Sequence, residues 1–383
     1  MNTGWYKSSG ITSSQIDNLY LNSPLDKQNS FSISSANDFT FGSTPIIVED
    51  KLFVSSTTGT IESFDLITGQ PLWSNDFFSK SHGISKFAFM TGSYVNGGLS
   101  YYNNTIYATG GLSEVAAINP ISGEIIWHTK LSSPSRSTPI GAGKMVIIQT
   151  VDNKTFALDS ATGKTIWTHL GIGEDISMLA TYAPAVSDRN VIVQYSSGEI
   201  FALNLATGDE VWAANISSHA NSVSTERHLY NVITSPTIDN GLVLAFGNDG
   251  TIAALKVSSG ELVWKKDIGV NKQFWVSGNY IYAVINDNQL VCLTKPTGKV
   301  RWITDLNMLQ KDGDETVFWG SPIIADSKVM LANSDGQLMS FDMATGSKID
   351  EISVNDDIYL MPIVVKGSMY LLDNNGKITR YGT

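Results

Sequence analysis

From Thr138 to His169 the chain moves between apolar and polar positions in four short bursts, each separated by turn-forming residues. Thr138-Pro139-Ile140 opens the first burst, and Met145 to Gln149 forms a second, largely apolar one. Asp152-Asn153 leads into a third, Thr155 to Leu158, and Thr162-Gly163 into a fourth, Lys164 to His169. Runs of this length, rich in β-branched and aromatic residues and bounded by Asn, Asp, Gly and Pro, predict four consecutive antiparallel strands. Gly163 suits the last turn because a residue without Cβ takes positive φ without a clash.

The fourth burst ends in a phrase that recurs along the chain: a small residue, four mixed positions, Thr/Ser-Gly, three residues, then Trp. Its copies run from Ser63 to Trp73, Ala117 to Trp127, Ala157 to Trp167, Ala202 to Trp212, Ala254 to Trp264 and Cys292 to Trp302. A seventh starts at Ser340 and passes through Thr345-Gly346, but has Asp350 where Trp is expected. The phrase glycines, Gly69, Gly123, Gly163, Gly208, Gly260, Gly298 and Gly346, recur every 38 to 54 residues. That period is the length of a four-stranded propeller blade, about 40 to 50 residues.

First strands give an independent count. Thr44-Pro45, Thr138-Pro139, Ala183-Pro184, Ser235-Pro236, Ser321-Pro322 and Met361-Pro362 mark six, and Pro is tolerated at a strand's beginning. Two more, near Gly98 to Tyr101 and Phe274 to Ser277, lack Pro. Eight first strands against seven fourth strands leave the last unit one strand short. The alternating segment Ser30 to Ser35 has no blade of its own and is expected to supply it. The predicted fold is therefore all-β: an eight-bladed β-propeller of four-stranded antiparallel blades, closed by pairing of the amino-terminal strand with the carboxy-terminal blade. Closure removes an exposed sheet edge. Residues 29–383 form this single domain, and residues 1–28 are expected to be a loosely tied tail.

An aromatic plane can stack on a flat cofactor, but six indoles at one repeated position are better explained as joints between blades. In this reading Trp73, Trp127, Trp167, Trp212, Trp264 and Trp302 each cover a glycine turn, at Gly69, Gly123, Gly163, Gly208, Gly260 and Gly298, and meet a small residue. Cys292 is one of those small residues, hence a buried side chain and not a nucleophile. Asp350 should leave a weaker or differently filled contact.

Hydrophobic residues at 42% and aromatics at 10% are ample for a large core. A net charge of -11 without a dense Lys/Arg cluster opposes a nucleic-acid partner. No apolar run reaches the roughly 18 to 20 residues needed to span a bilayer. Met1 to Gln15 lacks the cationic and apolar parts of a signal peptide. This leaves a cytosolic protein or a chain that begins after a removed signal. A single cysteine excludes an intrachain disulfide and a Cys-based metal cluster.

The remaining chemistry is sparse, and no catalytic, cofactor-binding or metal-binding residue is assigned. His82, His128, His169, His219 and His228 show no paired metal-ligand spacing, and His128 and His169 read as solvated positions on fourth strands. Neither a Gly-x-Ser-x-Gly elbow nor a phosphate-binding loop is present. Asp249-Gly250 and Asp335-Gly336 resemble parts of acidic metal loops but fall at second-to-third strand turns, where turn chemistry accounts for them.

The phrase Ala-x-Asp-x-x-Thr-Gly-x-x-x-Trp, complete at Ala157, Asp159, Thr162, Gly163 and Trp167, resembles the tryptophan-docking repeat of the quinoprotein (PQQ-like) propeller superfamily. Quinone-dependent dehydrogenases of that superfamily typically carry a vicinal Cys-Cys disulfide at the quinone site, which one cysteine cannot make. From about Ser30 the chain is more similar to the BamB family of propeller lipoproteins. The likeness is carried by Ile233-Thr234-Ser235-Pro236, Gly250 to Leu255, Ser259 to Lys265 and Gly278 to Tyr282.

That resemblance implies a non-enzymatic scaffold without a cofactor, at the periplasmic face of the bacterial outer membrane and monomeric outside its complex. It implies docking on a periplasmic POTRA domain of a BamA-type barrel protein, with unfolded outer-membrane proteins as further partners. It also implies a lipid anchor on a cysteine that would precede this chain. The implied docking loops are Glu174 to Tyr182 and Thr225 to Ile233. An Arg of the family pattern aligns with Leu179, and two acidic positions align with Asn231 and Ile233. The expected contact, involving Ile176, Met178, Leu179, Tyr182, Asn231 and Ile233, is therefore apolar; equally, Met178, Leu179 and Tyr182 could pack the loops on the propeller. The alternatives are a quinone-dependent dehydrogenase and a propeller scaffold for another envelope partner.

Overall fold

The computed structural model describes residues 19–22, 24–33, 43–56, 59–76, 97–110, 113–135, 137–171, 183–187, 189–216, 234–247, 250–270, 272–309, 317–354, 361–373 and 376–382. They form eight four-stranded sheets, one for each predicted blade. Blade 3 consists of Ile140–Ala142, Met145–Thr150, Lys154–Asp159 and Thr165–Leu170, hydrogen-bonded in sequence order with antiparallel register. The first strands lacking a Pro signal appear at Leu99–Tyr102 and Trp275–Ser277.

Burial explains why the four strands look different in sequence. Second and third strands are buried on both faces, as in Met145–Thr150 and Lys154–Asp159, so they read as continuous apolar runs. Fourth strands face solvent on one side and alternate. In Thr165–Leu170 only Trp167 and His169 point inward, while Ile166 and Leu170 are exposed.

The chain divides into two compact units. One spans Ile33–Ala213 and contains blades 1 to 3 and nearly all of blade 4. Its interior is a run of apolar clusters, such as Ala142, Ile147, Ala157, Trp167, Val191, Val193, Phe201 and Leu203. The other joins Thr12–Ser32 to Ala214–Thr383 and contains blades 5 to 8. In it Leu244, Phe246, Ile252, Val270, Phe274, Val276 and Ile281 pack together.

Blade 8 is completed from the other end of the chain. Its third strand, Lys377–Tyr381, pairs with Lys27–Ser32, matching Phe31 with Ile378 and Ser32 with Lys377. The pairing strand thus begins three residues before the predicted Ser30. Moreover, the expected loose tail is tied down at residues 19–22. The Leu19 amide donates to the Ile324 carbonyl (3.0 Å), the Asp326 amide to the Leu19 carbonyl (2.8 Å) and the Asn22 amide to the Gly367 carbonyl (2.8 Å). Leu19 and Leu21 are buried, and these anchors lead the chain into blade 8 earlier than its alternation indicates.

The register explains the small residue of the repeated phrase. Ser63 lies directly opposite Trp73, Ala117 opposite Trp127, Ala157 opposite Trp167, Ala254 opposite Trp264 and Cys292 opposite Trp302. A small cross-strand partner leaves that face of the pair to the indole. Each ring reaches the following blade. The indole N–H of Trp73 donates to the Pro120 carbonyl (3.1 Å), Trp127 to Ser160 (2.9 Å), Trp167 to Leu205 (3.0 Å), Trp264 to Lys295 (2.7 Å) and Trp302 to Met343 (3.1 Å).

The floor under each ring is the next blade's glycine turn. At Gly163, with φ +70°, an added Cβ would fall 2.4 Å from the Trp127 ring, so both backbone and packing require glycine. Two residues beyond the indole a second bond is made. Asn75 donates to the Gly123 carbonyl (2.7 Å), Thr129 to Gly163 (2.7 Å) and Thr304 to Gly346 (2.7 Å).

Asp159 opens its turn by accepting bonds from the Ala161 amide (3.2 Å), the Thr162 amide (2.8 Å) and the Thr162 hydroxyl (2.7 Å). Asp65 and Asp342 do the same in blades 1 and 7. These bonds favour the ionised form and hold all three carboxyls below the usual range, the Thr hydroxyl bond acting most strongly at Asp159 and Asp342 and the Thr68 amide bond at Asp65. In blades 2 and 4, Asn119 and Asn204 accept the equivalent amide bonds without a charge.

A depressed folded pKa contributes stability above the unfolded value, about 3.9, which is lost as pH falls through the folded one. The triple variant D65N/D159N/D342N should therefore unfold near the wild-type temperature at pH 7 but lose less on acidification. Thermal unfolding followed across the acid range checks this, and a parallel loss in both proteins would contradict it.

Cys292 is fully buried opposite Trp302, and burial pushes its thiol up to about 11. Only the thiolate is nucleophilic. The native protein should therefore leave a thiol-specific chromogenic reagent unreacted at neutral pH and release one equivalent on denaturation; prompt native reaction would contradict the buried placement.

Candidate partner-binding loops

The connections from one blade's fourth strand to the next blade's first leave from the end opposite the glycine turns. Ile176, Met178, Leu179, Tyr182, Asn231 and Ile233 all belong to two such connections and lie outside the described residues. The roots of these connections are described, and they are firmly held.

In the first unit the roots are linked by buried polar side chains. The Gly98 amide donates to Thr109 Oγ1 (2.7 Å), and the Thr109 hydroxyl donates to the Ser137 carbonyl (2.9 Å). The Ser137 hydroxyl donates to the Gln149 carbonyl (3.3 Å), and Gln149 Nε2 to the Gln194 carbonyl (3.1 Å). Blades 2, 3 and 4 are thus stitched together just below their loops. Gln149 Oε1, by contrast, is buried without a hydrogen-bond partner among the described residues.

The loop after blade 3 has the most elaborate root. Gly171 donates its amide to the Asn153 carbonyl (2.9 Å), and Asn153 Oδ1 accepts from the Ser196 amide (3.3 Å) and hydroxyl (3.0 Å). A Cβ at Gly171 would lie 2.4 Å from the Tyr195 ring, so the chain departs in contact with that ring. The Tyr195 hydroxyl lies 2.8 Å from Thr155 Oγ1 and 2.8 Å from His169 Nδ1, while His169 Nε2 lies 3.0 Å from Glu210 Oε1. A neutral imidazole satisfies the whole chain: Nε2–H donates to the carboxylate, Tyr195 donates to Nδ1, and Thr155 donates to Tyr195. Burial pushes the Tyr195 phenol up, keeping it a neutral donor.

His169 is therefore buried, contrary to the solvated position expected from sequence. It shares the inward face with Trp167 because residues two apart on a strand point the same way. That period was the available signal: His128, one residue after Trp127, is exposed and sits 3.4 Å from Glu114. Nothing local in the sequence marks Tyr195 and Glu210 as its partners.

In the second unit, Ile216 and Thr234 flank the other predicted loop, and both are buried. The Ser235 amide donates to Gln273 Oε1 (3.3 Å), Lys272 Nζ donates to the Trp319 carbonyl, and Asn288 Nδ2 donates to the Val317 carbonyl (3.3 Å). These bonds tie blades 5, 6 and 7 at their loop ends. Burial lowers the Lys272 ammonium from its usual range.

Among the described residues no group of three or more His, Cys, Asp or Glu could hold a metal ion. No helix among them is long and apolar enough to cross a membrane. Each of the two connections springs from buried residues in its own unit.

Comparison with known proteins fixes the family. The model of the outer membrane protein assembly factor BamB family matches residues 57–304, more than half of the chain. The assembly factor BamB of Yersinia pestis is 23% identical over 329 residues, covering 86% of this chain and 81% of its own length. Among solved structures, BamB from Moraxella catarrhalis superposes with a TM-score of 0.76 at 16% identity, covering 94% of this chain and all of that one. Quinohemoprotein alcohol dehydrogenase from Comamonas testosteroni gives a TM-score of 0.71 at 13% identity, covering 100% of this chain and 81% of the enzyme. At such identity the structural likenesses establish the fold alone, and the two architectures are shared. This chain is an eight-bladed β-propeller and belongs to the outer membrane protein assembly factor BamB family.

Proposed function

We propose that this protein is a non-enzymatic scaffold of the outer-membrane protein assembly complex, acting at the periplasmic face of the bacterial outer membrane. The observation that carries the reading is the family match over residues 57–304. In this reading the protein binds the POTRA region of a BamA-type barrel protein and helps to deliver and insert outer-membrane proteins. The contact is made by the loops that hold Ile176, Met178, Leu179 and Tyr182, and Asn231 and Ile233. Leu179, standing where the family pattern has Arg, gives the first loop an apolar character. The root at Gly171, held by its bond to Asn153, supports this role by limiting the order that binding must impose.

Affinity capture from bacterial envelope extracts tests the proposal, with wild-type protein set beside Leu179→Glu. The wild type should recover a BamA-type protein. The substitution should abolish recovery while leaving the thermal unfolding temperature unchanged, because it falls in a connecting loop. Undiminished recovery with Leu179→Glu would move the contact elsewhere. A quinone-dependent dehydrogenase would instead reduce a dye when quinone and calcium are added; the scaffold reading expects none.

A second mode of binding has some support. Ile126, Ile166, Val211, Leu262, Val300 and Ile349 are all about half exposed on fourth strands. An extended client segment could add to such a strand edge. These strands have only six residues each, so each offers a short ladder.

A further inference from the structure

Blade 7 has no indole to offer its neighbour. Asp350 stands opposite Ser340, in the register where Trp167 faces Ala157 and Trp302 faces Cys292. It is exposed and accepts a bond from the Glu351 amide (2.8 Å). Blade 8, in turn, has no floor for an indole. Elsewhere the floor is the glycine turn between third and fourth strands. Blade 8 lacks that turn because its third strand, Lys377–Tyr381, pairs with Lys27–Ser32 from the opposite end of the chain.

Residues 19–22 bridge these two blades. The Leu19 bonds fall on Ile324 and Asp326, at the first hairpin turn of blade 7, and the Asn22 bond falls on Gly367, at the first hairpin turn of blade 8. This is the end of the blade where the indole joints sit. In blades 1, 3, 5 and 6 the residue after the third strand bonds the first hairpin turn, as Leu66 does to Asp50, Ser160 to Lys144, Val257 to Gly241 and Lys295 to Asn279. Leu19 is 2% exposed and Leu21 4%, whereas Tyr20 between them is 71% exposed. A Cβ at Gly367 would come within 2.9 Å of the Asn22 amide, so this turn is shaped to receive the crossing segment.

We infer that residues 19–22 form a clasp that replaces the missing indole joint between blades 7 and 8, and that blade 8 opens first when the clasp is released. The clasp runs into Asp26, whose carbonyl accepts from the Gly382 amide (3.1 Å), and then into the pairing strand. That strand's register slips between Lys27 and Ser30, so its own ladder is short of regular bonds. Without the clasp, Lys27–Ser32 keeps this ladder, the Gln28 side-chain bond to the Gly382 carbonyl and the buried Ile33 that follows it. This inference stands apart from the partner reading above.

Hydrogen exchange of the full chain, read by mass spectrometry, tests it by comparing wild type with Leu19→Ser/Leu21→Ser. Exchange in Lys27–Ser32 and Lys377–Tyr381 should accelerate by about tenfold or more, with Met145–Thr150 of blade 3 unchanged, because local opening is confined to the loosened unit. If the double variant does not fold, Leu21→Ala alone should give a smaller acceleration in the same two segments. Equal acceleration in blade 3, or none in blade 8, would overturn the inference. Adding Asp350→Trp to the clasp variant should restore nothing, since an indole there has no glycine floor. Recovery of protection by that addition would show that blade 8 does offer a floor for an indole, and would overturn the premise that the joint is missing there.

Discussion

Trp167→Ala should cost about 3 to 5 kcal/mol of folding stability, the range for emptying the space of a buried large aromatic side chain. The indole is 7% exposed and opposite Ala157, and its N–H is spent on the Leu205 carbonyl. Truncation therefore removes a ring from above the Gly208 turn and leaves a carbonyl without its donor. Trp167→Phe separates the two effects. It keeps much of the packing and should cost less, with about 1 kcal/mol of the loss assigned to the hydrogen bond. Urea unfolding of the three proteins measures both terms. A cost below about 1 kcal/mol for Trp167→Ala would mean that blades 3 and 4 are joined by something other than this ring.

The second large effect is expected at Lys295 and Asp239, an ion pair with side chains 3% and 1% exposed. Asp239 ends the first strand of blade 5, while Lys295 follows the third strand of blade 6. Lys295 also gives its ammonium to the Gly278 carbonyl and its own carbonyl to the Trp264 indole. The pair thus lies under the joint between these two blades. Removing one partner strands a charge away from water. Asp239→Ala and Lys295→Met should each cost about 3 to 5 kcal/mol. The double variant Asp239→Leu/Lys295→Met should be less damaged than either single one, since no buried charge is left uncompensated. Additive losses in the double variant would show that the pair acts through packing alone.

The propeller was legible because its signals are periodic. The repeated phrase marks seven fourth strands, six of them with Trp, the first-strand signals mark eight blades, and the mismatch places a strand from the amino terminus in blade 8. The small residue opposite each indole was visible as a pattern, although its cause, the cross-strand register of Ala157 and Trp167, needed the ladder.

Features that depend on partners distant in sequence were not legible. Asp239 and Lys295 are joined by the fold, and neither carries a local mark. Leu19 and Leu21 flank Tyr20 in a segment too short to read as a strand, so their burial follows from the turns at Asp326 and Gly367. The burial of His169 is legible after all, because it lies two residues from Trp167 on the same strand face. The loop residues Ile176 to Ile233 rest on resemblance alone, because recognition surfaces obey no internal period.

Under the proposed function, recognition belongs to the loops after blades 3 and 4, on a framework that does not itself change. Hydrogen exchange of this protein, alone and saturated with the purified periplasmic region of a BamA-type partner, tests it most directly. The account predicts slower exchange in residues 172–182 and 217–233 and unchanged exchange in the fourth strands, including Thr165–Leu170 and Leu262–Asp267. Protection of those strand edges with the loops unaffected would contradict it.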